Sequence, residues 1–520
     1  MGAGLVTEAK TTAPPSWRLK APDDVQTQGV VVSGFSNLPY GQALFLNFNW
    51  DAPGGKKGWL TALRQVATIT DADGKDSPCA AIAFTWTGLQ KLGLSPEALA
   101  SFSAPFKEGM YQEDRARRLG DRIDGAWQPT VVKDGPLWSG NTPTRDADAD
   151  AKPVVTKKTV HALLALYSDN ANQLATWAAQ VAKALGPYDV EIAHQLALDL
   201  QQNNGIAREH FGFADGLSQP IPFGESVVLS NGQPLNKDNK DKWHGVPLGE
   251  ILLGHPNVHH EAAPGPVVKD DTIAKKANLP IDGAPVGFRN FGYNGSYVVV
   301  RELRQDVAAF WNSVKDAAAK IQGKAPNTAP ITASWLAERI IGRNIDGHLL
   351  RPNGVLPPDQ FGMPDNNFEF FDSDRYGLGC PLGSHVRRSN PRDGLAKDAG
   401  SKQTLLDAAN NHRILRRGRK FGPPPTDKDR KDDVDRGLLF ICLNTDIARQ
   451  FEFVQQTWLL NQSFATLFEE TDPVLGPAGN FTIPSDPLRR IVSVATFVQM
   501  AGGEYFFLPS IPALDYLAAL

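Results

Sequence analysis

Two segments of the sequence bring together side chains that could do chemistry. Residues 209–220 read EHFGFADGLSQP and place an Asp-Gly step at Asp215 among aromatic residues. Residues 379–392 read GCPLGSHVRRSNPR, in which His385 precedes two arginines, and residues 413–422 add the basic run RILRRGRKFG. A carboxylate, an imidazole and a guanidinium can move protons and stabilise negative charge. Local sequence alone favours simpler interpretations, a tight turn at Asp215 and a packed or surface histidine at His385.

The motifs of several common enzyme classes are absent from the sequence. It contains no GxGxxG after a predicted strand, no GxxxxGK[ST], no HExxH and no GxSxG, so nucleotide-binding, zinc-protease and serine-hydrolase functions lack support. The run HPNVHH groups His255, His259 and His260 and could indicate a metal site. However, Pro256 would break the helix on which ligands four residues apart must lie. We therefore expect exposed loop histidines there.

The composition excludes further classes of protein. The chain has 520 residues, of which 41% are apolar and 21% charged, as in globular proteins large enough for two domains. Its 53 Lys and Arg against 57 Asp and Glu give a net charge of −4, so no overall basic field would attract nucleic acid or an anionic membrane. The three cysteines, Cys79, Cys380 and Cys442, exclude a disulfide scaffold and a cysteine-based zinc site. With no signal-peptide pattern or membrane-spanning run, we expect a cytoplasmic protein.

A β-rich run followed by an amphipathic helix occurs four times along the chain. The β-rich runs are residues 43–49, 161–167, 296–303 and 438–443. Apolar residues spaced by three, four and seven follow each of them, which is the period of a helix face. Residues 80–86 and 190–196 fit return strands after the first two helices. The pattern predicts an α+β fold in which a split βαβ sheet with helices packed on one face occurs twice.

The long motifs resemble those of the dye-decolorising (DyP-type) haem peroxidases, and the resemblance runs nearly end to end. It is carried by GFADG at 212–216, HVRRSNPR at 385–392 and LRRGRKFG at 415–422. Supporting stretches are GEILLGHP at 249–256, RQDVAAFW at 304–311 and RGLLFICLNTDIARQFEFVQQTW at 436–458. The long spacings resemble the larger subfamilies, which have long insertions.

The resemblance implies a fold and a division of the chain. The fold would comprise two ferredoxin-like halves of the dimeric α+β barrel type, with the haem held by the C-terminal half. We expect an N-terminal domain at 1–225 that contributes the distal GFADG segment, a crossover region at 226–290 and a haem-binding domain at 291–520.

The resemblance also implies a role for each motif residue. His385 would be the axial ligand of the haem iron, and Asp215 and Arg416 would lie on the opposite, distal face. Leu438 and Phe440 would wall the distal pocket. The adjacent Arg387 and Arg388 would pair with the haem propionates, because a guanidinium suits a carboxylate.

The acceptor for the second nitrogen of His385 cannot be aligned from the sequence. An axial imidazole usually donates its other N–H to an acceptor, which makes the ligand more electron-rich. The stretch after Trp458 offers several acceptors and leaves the choice open. The candidates are Glu469, Glu470 and Asp472, with Asn461 and Gln462 as alternatives.

The function implied by the resemblance is that of a peroxidase with one haem b per chain. It would reduce hydrogen peroxide to water through a high-valent iron intermediate and oxidise phenolic or dye-like aromatic donors. Cleavage of the peroxide O–O bond needs a group that accepts and returns a proton, the role expected for Asp215, and a cation such as Arg416 to stabilise developing negative charge. The alternative is a haem-binding or iron-handling protein with incidental peroxidase activity, which would not need this pair.

Overall fold

A ring of antiparallel strands dominates the computed structural model, which describes residues 16–74, 76–143, 154–200, 202–203, 206–324, 331–359, 362–484 and 490–520. In chain order, the ring strands are β1 (Tyr40–Phe48), β2 (Cys79–Phe84), β3 (Ala162–Ser168), β4 (Val190–Asp199), β5 (Ser296–Gln305), β6 (Arg419–Phe421), β7 (Gly437–Asn444) and β8 (Val498–Leu508). Around the ring their order is β5-β7-β6-β4-β1-β3-β2-β8, and β8 pairs back with β5. The sheet is therefore closed like a barrel.

Each half of the chain supplies one four-stranded part of this ring. The N-terminal strands lie in the order β4-β1-β3-β2 and the C-terminal strands in the equivalent order β8-β5-β7-β6. This order, with helices after the first and third strands of each half, is that of a ferredoxin-like fold. The halves join edge to edge, β6 with β4 and β8 with β2. The prediction of a duplicated α+β fold is confirmed.

The helices that follow the ring strands occur where the sequence predicts helices with one apolar face. The main helices are α1 (Trp59–Val66), α2 (Ala171–Leu185), α3 (Val307–Lys324), α4 (Ala333–Ile341) and α5 (His385–Ser389). The helix after β7 is wide-wound, with π-helical segments at Ala448–Glu452 and Val454–Leu459, which the helical period did not reveal. Shorter α-helices lie at Asp23–Gln26, Trp86–Lys91, Pro96–Ala100, Ala104–Glu108, Glu113–Arg118, Thr272–Lys276, Phe370–Ser373, Lys402–Asn410 and Ile511–Ala519.

Short strands extend the ring or form small sheets around it. Trp138–Ser139, Lys158–Thr159 and Leu415–Arg416 join the large sheet. The others are Trp17–Leu19, Arg122–Ile123, Ala126–Trp127, Gln202–Asn203, Ile206–Ala207, Ile221–Phe223, Val227–Leu229, Gly245–Pro247, Val267–Lys269, Phe288–Asn290, Leu350–Arg351, Gly354–Val355, Gly479–Ile483 and Arg490–Val494. Single 3₁₀ turns lie at Gly186–Tyr188, Leu248–Glu250 and Ala399–Ser401. The predicted domain limits stay a prediction.

Side chains alternate between the interior of the ring and its outer face. On β1, Phe45 belongs to the interior cluster, whereas Leu44 and Leu46 pack outward beneath the helices. This is the two-residue period of a strand with both faces covered. The same alternation on β5 and β7 determines which of their side chains line a cavity. Leu303 pairs directly with Leu438, and these two residues face outward, where the cavity described below lies.

A tight contact inside the ring gives a test of this packing. Gly502 on β8 lies against the indole of Trp138, with which an added Cβ would collide. The indole is held because its Nε1 donates to Glu302 Oε2 at 2.8 Å. We predict that Gly502→Ala lowers the free energy of unfolding by about 1–3 kcal/mol, the usual cost of overpacking. Urea titration followed by circular dichroism measures this change.

The matched control is Gly323→Ala in α3, where an added Cβ meets nothing within 4 Å. Because alanine is the better helix former, this variant should gain about 0.5–1 kcal/mol. Equal stability of the two variants would contradict the tight packing of Gly502.

Candidate functional site

A cavity of about 260 Å³ lies against the outer face of β5 and β7. His385 on α5, Asp215 in the GFADG loop and Arg416 just before β6 all line it. Leu438 and Phe440 of β7 form part of its wall. The cavity therefore brings together residues that are widely separated in sequence.

His385 begins the short helix α5 and is oriented by a buried carboxylate. Its Nδ1 lies 2.9 Å from Oδ2 of Asp472, a side chain with no exposed area. Oδ1 of Asp472 accepts the N–H groups of Val474 and Leu475 at 2.9 and 2.8 Å, which fixes the carboxylate. With Nδ1 engaged in this way, Nε2 is the nitrogen left for a ligand in the cavity.

The hydrogen bond between His385 and Asp472 also sets their charges. Burial by itself would lower the pKa of His385, but the Asp472 carboxylate outweighs burial and raises it. Burial would raise the pKa of Asp472, yet the nearby imidazole, the Leu475 N–H and the charge of Arg388 hold it below its ordinary value. Asp472 thus stays ionised and accepts the N–H of the imidazole. Of the acceptors that the sequence left open, the structure selects Asp472.

Asp215 and Arg416 form a pair in the same cavity. Arg416 Nη1 lies 3.8 Å from Asp215 Oδ1, and both side chains are about one third exposed, at 34% and 31%. The Asp215 N–H donates to Ala207 O at 2.8 Å, and the next residue, Gly216, has a φ of +77° that favours glycine. Arg416 Nη2 donates to the carbonyl of Leu217, within the same loop. The Asp-Gly step is therefore both a turn and a position in the cavity wall.

Arg387 and Arg388 require a correction, because neither guanidinium reaches the cavity. Both side chains are almost fully buried. Arg387 donates to the carbonyls of Asp374 and Cys380 at 2.8 and 3.0 Å. Arg388 donates to backbone carbonyls, including Trp458 O at 2.8 Å. The Arg387 and Arg388 side chains point into the protein, where they join α5 to its surroundings.

Two other arginines, which the sequence did not single out, line the cavity beside Arg416. Arg343 donates to Gly347 O and Asn366 Oδ1, and Arg413 donates to backbone carbonyls. Neither forms an ion pair with a carboxylate within the described part of the chain. Burial, with repulsion from Arg416, lowers the pKa of Arg413 to about 9, and burial lowers that of Arg343 to about 10. These poorly neutralised cations make this part of the cavity suited to an anionic group.

The three histidines of HPNVHH differ in their exposure. Over the residues that the structure describes, no group of three or more His, Cys, Asp or Glu side chains could hold a metal ion. His259 and His260 are exposed as expected, but His255 is buried and its Nε2 lies 2.7 Å from Asn294 Oδ1. In the same described ranges, no helix has the length and apolar character needed to cross a membrane.

Known proteins similar to this chain include several dye peroxidases. No family model matches the sequence. The multifunctional dye peroxidase DyP2 of Amycolatopsis sp. is 27% identical over 486 residues, which cover 89% of this chain and 87% of that protein. The dye-decolorizing peroxidase msp1 of Mycetinis scorodonius is also 27% identical, over 83% of this chain and 75% of its own length. The chain is similar to dye-decolorising peroxidases over most of its length.

Solved structures of DyP-type peroxidases share its fold. The DyP-type peroxidase of Anabaena sp. superposes with a TM-score of 0.68 at 25% identity, covering 95% of this chain and 94% of that one. The peroxidase of Auricularia auricula-judae gives a TM-score of 0.69 at 21% identity, over 96% and 99% of the two chains. The names of the sequence relatives support a peroxidase function for this chain.

The side chains of the cavity fit the haem that the sequence resemblance implies. An axial ligand requires an imidazole whose second nitrogen is held by an acceptor, and His385 with Asp472 meets that requirement. The macrocycle requires an apolar wall, to which Leu438 and Phe440 contribute. Its two propionates require cations, which Arg343 and Arg413 can supply in place of Arg387 and Arg388.

The internal role of Arg388 can be tested without any cofactor. We predict that Arg388→Lys lowers the free energy of unfolding of the haem-free protein by about 2–4 kcal/mol, because a lysine cannot bond the same set of carbonyls. Thermal unfolding followed by circular dichroism measures it, with Arg117→Lys at an exposed position as the control. A haem-free Arg388→Lys protein as stable as the control would argue for a cofactor contact instead.

Proposed function

We propose that this chain is a haem peroxidase that reduces hydrogen peroxide to water and oxidises phenolic or dye-like aromatic donors. The observation that carries the proposal is one cavity lined by a carboxylate-held imidazole, His385, and by the Asp215–Arg416 pair. When bound, haem b would supply the redox centre that exchanges electrons with peroxide and donor. One haem per chain would be held by His385 Nε2.

The proposed role of Asp472 is to orient the His385 imidazole and to increase its electron density. Because its carboxylate is buried and ionised, it fixes the tautomer with the proton on Nδ1 and presents Nε2 to the cavity. The backbone N–H groups of Val474 and Leu475 prevent the carboxylate from turning away. This arrangement supports an electron-rich ligand.

The proposed role of Asp215 is to carry a proton between the two oxygens of hydrogen peroxide. Its carboxylate would accept the proton of one oxygen and return it to the other, which then leaves as water. Two one-electron donations and two protons complete the conversion of one peroxide molecule into two molecules of water. Arg416 would place its positive charge beside the O–O bond, where negative charge develops as the bond breaks.

The residues of the cavity wall support separate sites of reaction for hydrogen peroxide and for dye-like donors. Leu438 and Phe440 line the same cavity as Asp215 and Arg416, and the space beside this pair would admit peroxide but not a dye. Dye-like donors would then give up their electrons from outside this pocket. That donor class is supported by the dye peroxidases among the relatives.

Replacement of His385 tests the cofactor assignment. We predict that His385→Ala lowers haem retention by at least about tenfold, since the imidazole is the proposed bond to the iron. The measurement is haem stoichiometry and Soret absorbance after reconstitution, with His259→Ala, at an exposed loop position, as the control. Equal haem content in the two variants would refute the assignment of His385.

Replacement of the distal pair tests the chemistry. Arg416→Leu should keep haem but slow the reaction with hydrogen peroxide by about 100-fold or more, because charge stabilisation is lost. Asp215→Asn should slow the same reaction by about 100-fold or more, because an amide cannot carry the proton. Stopped-flow absorbance after mixing with peroxide gives both rates.

The control for these variants is Arg430→Leu, at an exposed position outside this cavity. It should react at the rate of the unmodified chain. Rates for Arg416→Leu and Asp215→Asn that equal the control would contradict the proposed roles and favour a haem-binding protein with incidental activity.

A further inference from the structure

The loop that carries Asp215 is closed around a single buried carboxylate, that of Glu209. Glu209 Oε2 accepts the N–H of Phe211 at 2.7 Å, and Oε1 accepts the N–H of Phe213 at 2.8 Å. The Glu209 N–H donates to Phe213 O at 3.1 Å, so both ends of the turn meet at this residue. Asp215 follows Phe213 by two residues. The backbone leading to Asp215 therefore depends on the Glu209 side chain.

A third hydrogen bond ties this carboxylate to the barrel. Gln305, at the end of β5, donates from Nε2 to Glu209 Oε2 at 2.7 Å. Both Glu209 and Gln305 line the cavity that contains Asp215 and Arg416. The loop is thus attached to the same sheet whose outer face forms the cavity wall.

The buried position of the Glu209 carboxyl group is electrostatically unfavourable for a residue with only a structural role. Over the described residues it forms no ion pair, and the nearby charged groups are Asp215, which repels it, and Lys420. Burial raises its pKa to about 7, although the N–H donors of Phe211 and Phe213 and the Gln305 amide oppose that rise. Keeping such a group buried costs stability.

Contacts other than those of the Glu209 carboxylate also hold the loop, including its central residue Gly212. Asp215 N–H bonds Ala207 O at 2.8 Å, and Arg208 Nη1 bonds Gly212 O at 3.0 Å. The Phe211 ring stacks on Phe310 at 4.4 Å between centroids, which fixes a side chain. The N–H groups of Phe211 and Phe213 are satisfied by the Glu209 carboxylate, which adds two bonds to these contacts on either side of Gly212.

We propose that Glu209 is a positioning residue for the peroxidase reaction, which fixes the backbone from which Asp215 extends and so sets the approach of Asp215 to Arg416. The proposal depends on the proposed function above. A carboxylate that must carry a proton between two oxygens tolerates little displacement, and a shift of about 1 Å can cost about 100-fold in rate. Glu209 acts through Asp215 and does not itself contact peroxide.

Two replacements of Glu209 test whether its hydrogen bonds to the loop set the rate of the reaction with peroxide. Glu209→Gln should lower the rate with peroxide by about tenfold at unchanged haem content, because its amide NH₂ would face N–H donors instead of accepting from them. Glu209→Asp should recover most of that rate, since an aspartate side chain can accept the N–H two residues on, here that of Phe211. Hydrogen–deuterium exchange of the amides of Phe211 and Phe213 should rise in Glu209→Gln and less in Glu209→Asp.

A double-mutant cycle gives the decisive result. If Glu209 acts through Asp215, then Glu209→Gln should change the rate by less than about twofold when Asp215→Asn is already present. If the two replacements instead slow the reaction independently, so that their effects multiply, the proposal is overturned. It is also overturned if Glu209→Gln changes neither the rate with peroxide nor the amide exchange, or if Glu209→Asp reacts no faster than Glu209→Gln.

The failure of the proposed function would be distinguishable from the failure of this inference. An unmodified chain that binds no haem or does not react with peroxide would contradict the proposed function. Amide exchange at Phe211 and Phe213 would still decide whether Glu209 holds the loop, because that measurement needs neither haem nor peroxide.

Discussion

The alternation of side chains along β5 and β7 is the constraint on which the fold and the cavity both depend. Inward residues such as Val300 and Leu439 fill the ring, while outward residues such as Leu303 and Leu438 face the cavity. A shift of either strand by one residue would exchange these two sets. The register is therefore fixed by the packing of the ring, and the cavity wall follows from it.

The segments around this wall bring in the charged groups from outside the ring. The helix α5 begins with His385, and the hydrogen bond of that residue to Asp472 spans 87 positions in sequence. The loop with Asp215 comes from the segment between the two halves, and Arg416 comes from the short strand that pairs with β7. Because each group is held by a separate element, the proposed chemistry depends on the docking of those elements.

Much of the fold could be predicted because its signals are local. The strand–helix units follow from periodicity, and the structure confirms their duplication in two ferredoxin-like halves. His385, Asp215 and Arg416 stand out through their motifs, and the structure brings them to one cavity. Whether they act as proposed is a question for the experiments above.

The remaining features depend on contacts that a local pattern does not contain. Asp472 could not be chosen among its neighbours, because only the folded chain brings its carboxylate to His385. Arg387 and Arg388 have the right side-chain type for propionates but point into the protein, since their direction is set by where α5 packs. Glu209 lies within a conspicuous motif, but its three hydrogen bonds become visible only when the loop is folded.

The central claim is that one cavity holds a haem and directs its reaction with peroxide. The absorption spectrum of the purified, haem-reconstituted protein, recorded before and after one equivalent of hydrogen peroxide, tests it most directly. The account predicts a Soret band that changes rapidly on addition of peroxide and returns when a phenolic donor is added. A protein that takes up no haem, or a Soret band that does not respond to peroxide, would contradict it.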